Sequence, residues 1–219
     1  MTEIDKRSFV WRRIHSLTGI VPVGLFLLEH FFTNSAAMHG SEIYNSRVEF
    51  LLTLPFVLAL EIGMIFLPLI FHAVYGIVIV FTGRANNIAY GYGRNWNYLW
   101  QRISGFVLLA FISVHVFGTK GWVMQQTLPE GTHPDFFLRM QEILANPLMA
   151  IFYGLGIAAA SYHFANGLWN FSITWGITVS QGAQRRFTLI WILLGLALFA
   201  VGIASLLSFN GIWPGTPGH

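Results

Sequence analysis

Polar and apolar residues in this chain segregate into long blocks rather than alternating at short period. Five apolar blocks, about residues 14–37, 56–82, 102–119, 147–175 and 187–209, are separated by polar stretches. A helix rising 1.5 Å per residue needs about 20 apolar residues to cross a bilayer core, and these blocks are of that order. The clearest lies between Pro55 and Gly83, where 27 consecutive residues include a single charge, Glu61. The pattern predicts an all-α integral membrane protein, residues 1–219 forming one membrane domain with five transmembrane helices. Pro55 and Pro147 suit the first turns of the second and fourth helices. The 27 residues from Lys120 to Asn146 read as the longest loop, with an amphipathic helical turn or two around Phe136 to Leu144.

Composition agrees with this and narrows it. Hydrophobic residues make up 55% of the chain and charged residues 10%, against about a quarter charged in soluble domains. The net charge of +3 is not a nucleic-acid signal, because the basic residues fall into a topological pattern. Lys6, Arg7, Arg12, Arg13, Arg84, Arg94, Arg102, Arg185 and Arg186 lie on one side of the predicted spans. Only Arg47, Lys120 and Arg139 lie on the other. The positive-inside rule then places the amino terminus in the cytoplasm and the carboxy terminus outside. The first apolar block is too long for a signal-peptide core and is expected to be retained. With no cysteine, the chain can hold neither a cysteine-ligated iron–sulfur cluster nor a covalently attached c-type haem.

Ionisable residues inside the blocks carry the chemistry, since they are costly in hydrocarbon. Glu61 and His72 are 11 residues apart, three turns plus about 20°, which predicts one shared stripe of the second helix. Four of the eight histidines sit one in each of the first four blocks: His30, His72, His115 and His163. Counted from the helix ends, His30 and His115 share an outer level. His72 and His163 share an inner one, roughly 15–18 Å deeper. Two imidazoles from different helices at one depth, twice over, meet the need of two bis-histidine haems in a four-helix core with a fifth helix beside it. Six-coordinate iron implies electron transfer. Gly76 and Gly167, one turn after His72 and His163, would let a haem press against backbone. His39, His133 and His219 fall in loops or the tail and have no assigned role. Two other readings stay open at this point: a haem-free anchor with interhelical histidine contacts, and a small proton-coupled carrier with a polar relay.

A faint repeat runs through the chain. Trp11-Arg12-Arg13-Ile14 opening the first helix matches Trp100-Gln101-Arg102-Ile103 opening the third. The second and fourth helices share the order Pro, His, then Gly four residues later. Two similar helical hairpins are implied.

The runs Arg12-Arg13-Ile14-His15-Ser16, Leu67-Pro68-Leu69-Ile70-Phe71-His72-Ala73-Val74-Tyr75-Gly76 and His163-Phe164-Ala165-Asn166-Gly167-Leu168-Trp169 carry a family likeness, with Arg94-Asn95-Trp96 and Thr174-Trp175-Gly176-Ile177-Thr178. They resemble the cytochrome b subunits of succinate:quinone oxidoreductases, of the single-chain, five-helix, two-haem type found in menaquinone-using bacteria. The resemblance implies a bacterial cytoplasmic-membrane anchor for a flavoprotein subunit and an iron–sulfur subunit. It implies two haem b groups, an inner one on His72 and His163 and an outer one on His30 and His115. It further implies electron passage to a quinone, menaquinone by type, with the succinate–fumarate chemistry left to the partners. Carboxylates near the outer haem are implicated in quinone protonation in that family; here the candidates are Glu61, then Glu29. His15, Ser16, Arg12, Arg13 and Arg102, at the cytoplasmic edge, are the expected neighbours of the inner-haem propionates.

Overall fold

The computed structural model describes residues 3–83, 86–127, 129 and 132–212. Arg84 and His219 therefore lie outside the described residues. Ten α-helices occur among them: α1 Glu3–Ile20, α2 Pro22–Ser35, α3 Ser41–Leu52, α4 Val57–Leu60, α5 Leu67–Thr82, α6 Gly93–Gly118, α7 Lys120–Val123, α8 Phe136–Leu144, α9 Pro147–Thr174 and α10 Gln181–Phe209. A 3₁₀ turn, Ala36–His39, extends α2, and a π-helical segment, Glu61–Phe66, joins α4 to α5. These combine into five helical runs long and apolar enough to cross a membrane: Ser8–His39, Val57–Thr82, Gly93–Val123, Pro147–Thr174 and Gln181–Phe209. They are called spans one to five below.

Local chemistry sets where several of these helices begin and end. Asn146 caps α9, its Oδ1 accepting from Leu148 N at 2.9 Å, with Pro147 in the first turn. Ser180 Oγ accepts from Ala183 N at 3.1 Å at the start of α10. At the end of α9, Gly176 adopts φ +72°, and two backbone bonds reach back, Gly176 N to Ile173 O and Ile177 N to Ser172 O. This is a Schellman closure, which a glycine enters without the steric penalty of a Cβ. It explains the Trp175-Gly176-Ile177 portion of the motif in physical terms.

Span four is the centre of the bundle, packed against span three, span five and α1. Its small residues Gly156, Ala159, Ala160, Ser161 and Ala165 are buried and let neighbouring helices come close, the usual basis of helix association in lipid. A Cβ at Gly156 would overlap the Phe111 ring of span three.

One end of the bundle is closed by a cap that the hydropathy pattern missed. The stretch before Pro55, expected as loop, contains α3, which packs on α8 across a cluster of Ala36, Ala37, Tyr44, Phe137, Met140, Leu144, Tyr153 and Phe209. α8 itself occupies the predicted amphipathic turns. Asn45 ties the two: its Nδ2 donates to Asp135 Oδ1 at 2.8 Å, and its Oδ1 accepts from Phe137 N at 3.0 Å. Asn45→Ala is expected to cost about 1–2 kcal/mol, read as a lower melting temperature of the purified complex. An unchanged melting point would show the cap is held otherwise.

Three further details differ from the sequence expectation. Pro55 lies in a turn two residues before α4, and Phe56 takes a left-handed φ of 58°. α6 starts at Gly93, three residues before Trp96, the earlier of the two starts the pattern allows for the third helix, and not at Arg102. The π-helical segment widens the turn between Glu61 and Phe66, so the even 100° per residue that would align Glu61 with His72 does not hold there.

Candidate functional site

The four intramembrane histidines meet in two pairs. Toward the cap, the rings of His30 on α2 and His115 on α6 have centroids 5.7 Å apart with planes at 80°. Toward the opposite, arginine-bearing end, His72 on α5 and His163 on α9 are 6.2 Å apart at 83°. Along span one, the His30 ring packs on Phe26, while the His72 ring lies level with His15 and Gly19. The two levels are therefore separated by roughly ten residues of helix, about 15 Å.

The donor chemistry of two of these rings is well defined, and a third has one polar partner. His72 Nδ1 lies 2.9 Å from His15 O, and His163 Nδ1 lies 3.1 Å from Gln101 O and 3.1 Å from Ser104 Oγ. A carbonyl only accepts, so Nδ1 carries the proton in both rings and Nε2 keeps its lone pair. His115 Nδ1 meets Tyr153 OH at 3.3 Å. A ring held by one nitrogen with the other left as an acceptor is the usual state of a metal-binding histidine. The spacing within each pair would leave room for one metal ion held between the two rings. Two metal–nitrogen bonds of about 2 Å, as for other imidazole ligands, plus about 1 Å of ring on each side give about 6 Å between centroids. Among the described residues no three His, Cys, Asp or Glu side chains converge.

Glycines set how closely these helices pack, in a reciprocal pattern. A Cβ at Gly19 would overlap the His72 ring, and one at Gly105 would stand 3.3 Å from His163 Cε1. Conversely, a Cβ at Gly76 would meet His15 Nε2 at 3.3 Å, and one at Gly167 would meet Gln101 Nε2 at 3.6 Å. Gly76 and Gly167 thus face the neighbouring helix rather than the paired rings. In span one the carbonyl acceptor His15 precedes Gly19 by four residues; in span three Gln101 precedes Gly105 by four. The same device recurs in both hairpins, offset by three residues from the Trp11–Trp100 match. Gly19, Gly105, Gln101, Ser104 and Tyr153 were not singled out from sequence. The spacing of an acceptor followed four residues later by glycine was the available signal.

His15 stacks on His72 at 4.0 Å with planes 10° apart, and so sits deeper in the site than an edge residue would. The cations gather at the arginine-bearing end. Arg12 Nη2 donates to Thr82 Oγ1 at 3.5 Å, and Arg13 lies over Phe9 and Trp175. Arg102 reaches the carbonyls of Ile79 and Gly83, both at 3.4 Å, and the hydroxyl of Tyr98. Its Nε is buried without an acceptor among the described residues, which fits a carboxylate-bearing group nearby. Ser16 is half-buried.

The two candidate carboxylates have separate surroundings. Lys120 Nζ contacts both Glu61 oxygens at 2.7 Å, joining span two to α7. Glu29 accepts from Thr33 Oγ1 at 2.5 Å and borders an apolar cleft of about 240 Å³ between spans one and two, walled by Pro22, Phe26, Leu60 and Met64.

With this geometry in view, residues 93–202, half of the chain, match the family described as the succinate dehydrogenase/fumarate reductase transmembrane subunit. The chain is also 43% identical over 203 residues to the succinate dehydrogenase cytochrome b558 subunit of Bacillus subtilis (strain 168), covering 93% of this chain and 98% of that protein. The chain belongs to this family. A second relative, the succinate dehydrogenase hydrophobic membrane anchor subunit of Halobacterium salinarum, is 34% identical over 81 residues, 37% of this chain and 60% of that one. Membership makes the chain a membrane-spanning cytochrome b subunit that anchors a succinate dehydrogenase, part of an oxidoreductase complex.

Proposed function

We propose that the chain is a dihaem electron conduit between an iron–sulfur subunit and a quinone, and that it also anchors the flavoprotein subunit. The observation that carries this reading is the pairing of four imidazoles at two levels, each pair spaced about as two rings holding one iron between them would be. His72 and His163 would hold the haem toward the arginine-bearing end, His30 and His115 the one toward the cap. Haem iron so ligated supplies one-electron exchange without an open coordination site. The chain's own residues do the rest. His15 O and Gln101 O fix the ring orientations of His72 and His163 through Nδ1, and Gly19 and Gly105 admit those rings against the helix backbone. Arg102 would pair with a propionate through its free Nε.

The arginine-bearing end faces the cytoplasm in this reading, by the nine-to-three distribution of basic residues. The soluble subunits dock there, and the cap faces outward. The Glu29 cleft then lies near the outer pair and takes the quinone head, menaquinone by the type of chain, with Glu29 as proton donor. Glu61, held by Lys120 and not part of the cleft wall, is the less favoured donor.

Reduced-minus-oxidised spectra and haem content of the purified complex test the reading directly. Two b-type haems per chain are expected; a colourless chain leaves only a haem-free anchor. Glu29→Gln is expected to lower quinone turnover by about a hundredfold, within the range of general acid catalysis, with both haem spectra unchanged. Glu61→Gln should cost less than tenfold. The reverse order would return the protonating role to Glu61.

A further inference from the structure

Spans four and five leave a second furrow, unrelated to the histidine pairs. It measures about 370 Å³ and is lined by Ser161 and Ala165 on α9 and by Trp191, Ile192, Leu196 and Phe199 on α10. Gly195 brings the helices together at its floor, where a Cβ would stand 3.2 Å from Ala165 Cβ. Its walls are apolar except for Ser161, Tyr162 and Trp191. Ser161 Oγ, on a residue only 2% exposed, and Trp191 Nε1 are both buried with no hydrogen-bond partner among the described residues. Tyr162, which also borders the furrow, is already committed, its hydroxyl donating to Asn97 O at 3.3 Å. Unpaired donors at membrane depth are costly, since no water is present to satisfy them. Two on one furrow call for an oxygen acceptor brought by whatever lies in it.

The charge pattern identifies the occupant. Arg185 is exposed and precedes Ile192 by seven residues, two turns less about 20°. It precedes Leu196 by 11, three turns plus about 20°. Arg185 therefore stands at the foot of the stripe that lines the furrow, about 10 Å below Ile192 along the axis. Trp191 lies between, and helical side chains lean toward the amino-terminal end, here toward Arg185. Cation, then hydrogen-bond donors, then an apolar channel is the order met on entering a bilayer leaflet. The headgroup layer on each side is about 5–8 Å deep.

We propose that the furrow between spans four and five is a binding site for one anionic phospholipid. Its phosphate lies on Arg185, an ester carbonyl accepts from Trp191 Nε1 and Ser161 Oγ, and an acyl chain runs along Leu196 and Phe199. The site depends on neither the haem nor the quinone assignment.

The test uses the intact complex, purified in mild detergent after equilibration with equal phosphatidylglycerol and phosphatidylcholine, with retained lipid counted by native mass spectrometry. The wild-type complex is expected to keep one phosphatidylglycerol. Trp191→Phe preserves the ring but removes the donor, and should weaken retention about two- to tenfold, the value of one hydrogen bond. Arg185→Gln, at an exposed position, should abolish the preference for phosphatidylglycerol. Wild-type complex retaining no lipid, retaining the two lipids equally, or yielding a quinone whose retention depends on Trp191 would overturn the proposal. So would retention unchanged in both variants.

Discussion

Replacing His72 or His163 by alanine is expected to remove the same one of the two proposed b-type haems, and replacing His30 or His115 to remove the other. This follows from geometry, because each pair of rings lies at one level, with centroids 6.2 Å and 5.7 Å apart, and no histidine is shared between levels. Haem content should fall from two to one per chain in each of the four variants. Low-temperature spectra should sort the variants into two classes, His72 with His163 and His30 with His115. The membrane fold should survive, since none of the four histidines belongs to the buried cap cluster, although His163→Ala also gives up its contacts with Gln101 O and Ser104 Oγ of span three. A variant losing both haems or neither, or a sorting that joins His30 with His72, would contradict the pairing.

Gly19→Ala is expected to be nearly as damaging although it deletes nothing. The added methyl would occupy space now filled by the His72 ring. That ring cannot swing aside freely, because it is bonded through Nδ1 to His15 O and stacked under the His15 ring. Overpacking of this kind costs about 1–3 kcal/mol, here concentrated on one imidazole. The expected result is selective loss of the His72–His163 haem, with the other retained. A graded series separates the steric effect from a general intolerance of alanine. Gly105→Ala, with 3.3 Å to His163 Cε1, should shift the same spectrum without abolishing it. Gly167→Ala, 3.6 Å from Gln101 Nε2, should be close to silent. If Gly19→Ala retained both haems at unchanged stability, the helix-approach argument would fail.

Much of this arrangement could be read from residue order, for definite reasons. Long apolar blocks broken by arginine clusters announce membrane helices, and one histidine per block stands out against hydrocarbon. Asn146-Pro147 marks a helix start for local reasons that hold whatever packs above it. What stayed hidden depended on tertiary contacts or on breaks in helical phase. The α3 helix is short, with polar residues interleaved, so its apolar members Tyr44 and Val48 show their purpose only against Phe137 and Phe209. The π turn that begins at Glu61, itself paired with Lys120, falls inside a long apolar run, where hydropathy has no means of marking it. The repeat was visible, but two tryptophans set it three residues out of register. Gly19 and Gly105 therefore passed unnoticed beside the more conspicuous Gly76 and Gly167.

The reciprocal glycines also bear on how such a chain can change over generations. Position 19 must stay empty so that position 72 can be full, and position 76 must stay small so that position 15 can be large. A single replacement on either helix meets a partner already in place, so drift within a hairpin should proceed by exchanges of bulk between opposing helices.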